Sequence, residues 1–282
     1  MLRKCLKYDL IPVARIWWIA AVTVLLLAVP VGLCLRDQML HADRFGYVQE
    51  FRWSVFGPVI GSFGLAVFAL LTVILTAARF YGNFFRDEGY LTFTLPVKRQ
   101  TLFLSKLISG MVWVFGVMLV SVAAIAVAEA IAPSAGDHSV SMLQNAMKQL
   151  GEWFMEGHRE LGIYHYIYLV ELFALIVLGC MGILLNIYLC ITIGSVLAKK
   201  NKLLAAVGTY YVFNAAATVA FYVGIFFVAV WALAGESAFP TAQLGNGSGA
   251  LLLLLACVIV ATVDAVLWLV NLGCLERKLN LA

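Results

Sequence analysis

Long apolar runs alternate along the chain with short charged stretches. Six runs stand out, at residues 16–35, 55–78, 107–132, 166–197, 203–234 and 250–272. Each is about as long as the roughly 20 residues a helix needs to cross a bilayer, or longer. None shows the period of two expected of a membrane barrel strand, and a helix satisfies its own backbone groups in lipid. The pattern predicts an all-α membrane protein, a bundle of six transmembrane helices. The fourth and fifth runs are too long for one straight crossing, so tilt, a break or an extension beyond the membrane is expected there. Gly208, Asn214 and Gly224 mark points of irregularity in the fifth.

Two further segments carry a helical period. In 140–160, Leu143, Met147, Leu150 and Phe154 recur on one face, and Ser141 with Gln144 resembles a capping box. This outer amphipathic segment suits the surface of a leaflet; a lid over a ligand is the other reading. At the start of the chain, Leu2, Leu6, Leu10 and Val13 share one face and Arg3, Lys4 and Lys7 the other. Such a segment lies well on an anionic inner leaflet, and Pro12 is expected to bend or end it. The stretch 245–249 is glycine-rich and reads as a flexible turn. The glycosylation pattern at Asn246-Gly247-Ser248 is a weak match there.

Composition narrows the function. Of 282 residues, 63% are hydrophobic and only 12% charged, against roughly 25% charged in a soluble domain. That excludes a soluble globule, disorder and any large catalytic domain. A net charge of +4 gives no footprint for nucleic acid. The six cysteines are scattered, none in metal-ligand spacing, and read as small buried hydrophobes. The first run is too long for a signal-peptide core and is read as a retained span.

The 19 Lys and Arg residues set the direction. Arg3, Lys4, Lys7 and Arg15 precede the first run. Arg79, Arg86, Lys98, Arg99 and Lys106 lie between the second and third, Lys199, Lys200 and Lys202 between the fourth and fifth, and Arg277 and Lys278 after the sixth. The opposite side holds only Arg36, Arg44, Arg52, Lys148 and Arg159. Both termini are therefore expected inside, which requires an even number of spans.

The segment 79–106 between the second and third runs is the most informative. Charges cluster at its ends around Tyr90, Leu91, Phe93 and Leu95; Gly89 permits a turn, and Pro96 can start a helix. A short amphipathic helix, a turn and a helix rising into the third span are expected. From composition alone, docking on a soluble partner and resting on the membrane surface both stay open.

These residues resemble a known family. Asp87, Glu88, Gly89 and Leu91, then Leu95-Pro96-Val97, Arg99 and Lys106, look like the permease subunit of type-2 ATP-binding-cassette (ABC) exporters. Leu6-Lys7-Tyr8-Asp9 is similar to that family's cytoplasmic elbow helix, and Arg277-Lys278-Leu279-Asn280-Leu281 resembles the terminus of many Gram-positive members. Lys98 departs from the pattern, since many relatives carry a small polar residue there. The resemblance covers the chain from end to end. It implies one permease domain over 1–282 in the cytoplasmic membrane of a bacterium. It also implies a coupling helix in 79–106 that engages a separate ATPase through Arg86, Asp87, Glu88, Gly89, Tyr90, Leu91, Leu95, Pro96, Lys98 and Arg99. The implied partners are two ATPase subunits carrying ATP and Mg, a second permease, identical or related, and membrane lipids.

The residues agree with that division of labour. No Walker A pattern, HExxH or GxSxG occurs, so the chain itself reads as a non-enzymatic transport subunit without a cofactor. Three carboxylates lie inside the runs: Glu129, Glu171 and Asp264. They are candidates for a substrate pathway or proton relay, or for helix-to-helix hydrogen bonds. An ATPase-independent secondary transporter or a structural membrane protein using Asp264 is the rival reading. The pathway offers few polar groups, which favours an amphipathic or hydrophobic substrate. Gly57, Gly61 and Gly64, and Gly179 with Gly182, are expected to allow close helix contacts.

Overall fold

A computed structural model describes residues 2–40, 56–85, 98–133, 141–198, 201–234 and 246–277. Their secondary structure is helical: α1 (Leu2–Leu40), α2 (Phe56–Phe85), α3 (Arg99–Ile131), α4 (Met142–Leu161), α5 (Ile163–Leu197), α6 (Lys202–Ala234) and α7 (Asn246–Arg277). Among the described residues, α1, α2, α3, α5 and α7 are long and apolar enough to cross a membrane. Their outward faces are as apolar as their inward ones: Leu26, Phe63, Leu119, Val170 and Leu251 are all exposed. A helix that is hydrophobic all round belongs in lipid. The chain is a multi-pass, all-α membrane protein.

The chain forms two compact units, Met1–Ala78 with Ile108–Glu160, and Arg79–Leu107 with Leu161–Ala282. In the first, α1 is the shared helix. Gly57, Gly61 and Gly64 of α2 face Cys34, Val31 and Leu27 of α1, a descending order that makes the pair antiparallel. Gly116 faces Trp17 and Gly32 faces Ala128, an ascending order that makes α1 and α3 parallel. The core is Val13, Trp17, Ala21, Val24 and Ala28 of α1 with Phe68, Trp113 and Ala124. The Trp17 ring lies 5.0 Å from Trp113 and 5.5 Å from Phe68. The α1 positions recur every three or four residues and so share one helical face. The glycines expected to allow close contact do so within the chain. A methyl at Gly57 would collide with Cys34.

The second unit repeats this logic around α5. Gly194 abuts the backbone of Ala206, and Asn186 Nδ2 donates to Asn214 Oδ1 at 3.1 Å. That descending order makes α5 and α6 antiparallel. Against α7 the order ascends: Tyr168 with Gly249, Glu171 with Cys257, Gly182 with Asp264, Leu185 and Thr192 with Asn271. Gly179, by contrast, has nothing near its open side. Helices α5 and α7 are parallel. Residues 250, 257, 264 and 271 of α7 fall seven apart, two turns of a left-handed seam.

Four expectations are corrected. Helix α1 does not end at Pro12 but runs through Pro12 and Pro30 for 39 residues. Half-buried Leu10 and buried Val13 and Trp17 hold it on both sides of Pro12, and proline is tolerated where neighbours restore the backbone. Helix α6 passes unbroken through Gly208, Asn214 and Gly224; Asn214 Nδ2 donates to Tyr210 O at 2.8 Å, within its own helix. Residues 99–106 open α3, as the helix expected to rise into the third span, whereas 79–85 continue α2 rather than forming a separate short helix, with Phe80 and Phe84 buried. Residues 246–249 form the first turn of α7 rather than a flexible turn, with Gly249 seated against the Tyr168 hydroxyl. Tertiary packing outweighs the poor helix propensity of glycine.

The expected capping box is present. Gln144 N donates to Ser141 Oγ and Ser141 N donates to Gln144 Oε1, each at 3.2 Å. Met142 N donates to Ala132 O at 2.8 Å and closes the connection from α3. Helix α4 has no buried residue and leaves Met147, Leu150, Trp153 and Met155 exposed. Gly162, at φ 57°, ends it, a conformation that costs glycine little.

The two kinds of glycine make a test. Gly57→Ala forces α1 and α2 apart and is expected to destabilise by about 1–3 kcal/mol. Gly82→Ala, where nothing lies within 4 Å, is expected to stabilise by roughly 0.5–1 kcal/mol. Thermal midpoints in detergent should therefore move in opposite directions; equal shifts would refute the α1–α2 register.

Candidate functional site

Three sets of residues combine burial with chemistry. The first roots the segment of the expected coupling helix. Arg86, Asp87, Glu88, Gly89, Tyr90, Leu91, Leu95 and Pro96 lie outside the described residues, but both feet of the segment are described. On the α2 side, Phe80 and Phe84, four residues apart on one helical face, are fully buried. On the α3 side Leu102, Phe103, Ser105, Lys106 and Leu107 are buried. The Phe80 ring stacks on Tyr188 of α5 at 4.2 Å and 13°. Phe103 meets Tyr188 edge-on at 6.2 Å and Trp268 of α7 at 4.8 Å. The Tyr188 hydroxyl donates to Lys106 O at 3.3 Å. Each aromatic pair adds about 0.5–1.5 kcal/mol beyond its buried area.

Lys98 and Arg99 stand at this root with different roles. The Lys98 carbonyl accepts from Thr101 N and Leu102 N at 2.9 and 3.3 Å, so Lys98 is the cap of α3. A lysine side chain only donates and cannot cap free N–H groups, as a small polar residue does. That is the physical content of the departure at this position. Arg99 Nη1 donates to Leu275 O at 2.7 Å, a cation on the carbonyl end of α7. Arg3, Lys4 and Lys7 are exposed on α1, opposite half-buried Leu6 and Leu10 and buried Val13.

The second set is the α5–α7 seam. Asn271, fully buried, donates to Leu185 O at 3.2 Å and to Leu267 O at 2.9 Å, with Thr192 Oγ1 at 3.5 Å from its Oδ1. Two turns earlier is Asp264, 2% exposed. Its Oδ1 sits 2.7 Å from where a Cβ on Gly182 would be. Gly182 is the notch that admits this carboxyl. Its Oδ2 has no hydrogen-bond partner, and neither does Glu171 Oε2. Cys257 Sγ contacts Glu171 O at 3.5 Å, so the two carboxyl-bearing residues are about 10 Å apart along α7, at 1.5 Å per residue. They are separate stations on one seam, not a pair. Buried polar groups are normally satisfied, and an orphan carboxylate oxygen within a span needs a proton, a cation or a polar ligand.

The third set is a cleft of about 280 Å³ in the first unit, between α1, α2 and α3. Its wall includes Val24, Leu27, Val31, Leu65 and Ile125, with only Ser62 and Glu129 contributing polar side chains. Glu129 is half-buried. Among the described residues no group of His, Cys, Asp and Glu gathers to hold a metal ion.

The aromatic root, the Asn271–Thr192 contact and the cleft were not anticipated from sequence. The i, i+4 spacing of Phe80 and Phe84 and the seven-residue spacing of Cys257, Asp264 and Asn271 are the signals that could have revealed the first two. Comparison with family models, curated proteins and solved structures finds no match to this chain.

The orphan oxygen of Asp264 separates a structural role from a functional one. Asp264→Asn keeps the shape and supplies a donor for a protein that leaves one oxygen unbonded. The thermal midpoint of the purified protein is expected to hold or rise. A fall equivalent to more than about 2 kcal/mol, beyond the usual range for one interhelical hydrogen bond, would make the carboxylate structural.

Proposed function

We propose that the chain is the membrane-spanning permease of a type-2 ABC exporter, a non-enzymatic subunit that forms the translocation pathway and is driven by a separate ATPase. The supporting observation is the rooted loop. Both feet of 86–97 are held by ring contacts, Phe80 on Tyr188 of α5, and Phe103 on Tyr188 and on Trp268 of α7. The same two helices, α2 and α3, continue into the first unit. A push on such a segment travels along packed helices rather than dissipating in a flexible connection. The coupling role falls to Arg86–Leu91, Leu95, Pro96, Lys98 and Arg99, with the basic face of α1 as the elbow.

Six crossings fit this reading. Helix α6 runs antiparallel to α5 while α7 runs parallel to it, so α6 returns the chain across whatever thickness α5 and α7 span. Both termini then lie on the cytoplasmic side of a bacterial inner membrane, where the basic residues concentrate, and α4 rests on the outer leaflet. The working assembly has two permeases, identical or related, and two ATPases that bind ATP and Mg. Asp264, Glu171 and Glu129 are the candidates along the pathway. The rival, an ATPase-independent transporter, draws on the unpartnered Asp264 oxygen.

Co-purification decides between them. The tagged permease is expected to bring down an ATPase subunit, and Glu88→Arg or Pro96→Ala to insert normally yet lose most substrate-stimulated ATP hydrolysis. Wild-type coupling in both variants would refute the coupling role of Glu88 and Pro96, and ATP-independent transport with no ATPase bound would establish the rival.

A further inference from the structure

We propose that the cleft between α1, α2 and α3 binds an amphipathic cation, a single positive head on an apolar tail. The geometry is graded. Val24 and Leu35, both in its wall, are eleven residues apart on α1, about 16 Å at 1.5 Å per residue. The register of the three helices sets Glu129 beside Leu35 and Pro58 at one end. Val24, Leu65 and Ala124 form the other. The polar end is thus charged and the opposite end wholly apolar, so a ligand enters with one orientation.

The sign of the head follows from the donor and acceptor inventory. Among the described residues Glu129 is the single charged residue in the wall, and no Lys or Arg joins it. The Ser62 hydroxyl spends its proton on Val59 O at 2.9 Å, leaving only lone pairs. Both polar side chains of the cleft therefore accept, and neither can donate to an anion. An anionic head meets repulsion and unpaired oxygens. An ammonium head meets a carboxylate in a medium where such attraction is strong, while the apolar wall takes up the tail as small-molecule sites do. This deepens the transport reading and rests on it only for the claim that the ligand is cargo. Binding itself needs no ATPase.

The test uses the full-length chain in nanodiscs of zwitterionic lipid. Radiolabelled octyltrimethylammonium is measured by equilibrium dialysis, with octylsulfonate as the anion of equal tail. Saturable binding of the cation, not displaced by octylsulfonate, is expected. Glu129→Gln should weaken it by about tenfold, the scale of one ion contact without a hydrogen bond, since a quaternary ammonium has no N–H to donate. Ser62→Phe, which narrows the cleft and leaves the carboxylate, should abolish it, while Gly82→Ala, at a position with nothing within 4 Å, binds as the wild type. Equal uptake of cation and anion would mean that the groove takes lipid-like tails without regard to charge. Either that result or undiminished binding in both Glu129→Gln and Ser62→Phe overturns the proposal. Failure here leaves the ATPase co-purification untouched, and the reverse also holds.

Discussion

Lipid gives two apolar helices no hydrophobic reason to associate, because a hydrocarbon tail is as good a neighbour as a leucine. Every contact in this protein must therefore rest on close approach or on a few polar bonds, and the sequence is arranged to supply both. Gly57, Gly61 and Gly64 let α2 lie against α1. Gly194 lets α6 lie against α5, and Gly182 admits a carboxyl from α7. Asn186 with Asn214, and Asn271 with Leu185, add interhelical bonds. Such bonds average about 0.6 kcal/mol in a membrane, so they fix register rather than provide bulk stability. Both units use one plan, a shared first helix with an antiparallel second and a parallel third.

Packing in the second unit is uneven, and that unevenness has a mechanical consequence. Buried residues on α5 crowd into 184–194, while the preceding two-thirds of the helix buries only His165 and Glu171. The crowded end is where Phe80 and Phe103 meet Tyr188, with Trp268 against Phe103. Dense interiors transmit displacement because they are hard to compress, whereas a sparsely packed helix face shifts more readily. On the proposed reading, a force delivered at residues 86–97 meets the densely packed end of α5 first, and the end bearing Glu171 is the more sparsely packed one.

How much of this could be read from the chain depends on the residue. The apolar runs located the helices, and Ser141 with Gln144 located one boundary to the residue, because a capping box is a local interaction. Local signals failed where distant packing decided. Propensity alone ends a helix at Pro12 and loosens one at Gly247–Gly249, yet both segments are helical because α1 and α7 are held by neighbours. The same holds for 79–85 and 99–106. Their charges set them apart from the apolar runs, but Phe80 and Phe103 have ring partners more than 80 residues away in sequence. Glu171 and Asp264 were legible as costly groups. That Gly182 makes room for one of them was not, since a notch exists only between two helices.

The cost argument also distinguishes the three carboxylates. Glu129 keeps part of its surface open in a cleft that, among the described residues, holds no cation. Asp264 is closed in by Gly182 and the seam. On the proposed reading the two are suited to different tasks, recognition for the first and conformational bias for the second. Cys257, Asp264 and Asn271 of α7 all bear on α5 along this seven-residue repeat. Asp264 sits in that repeat between Cys257 and Asn271, where a change in its bonding bears directly on the seam.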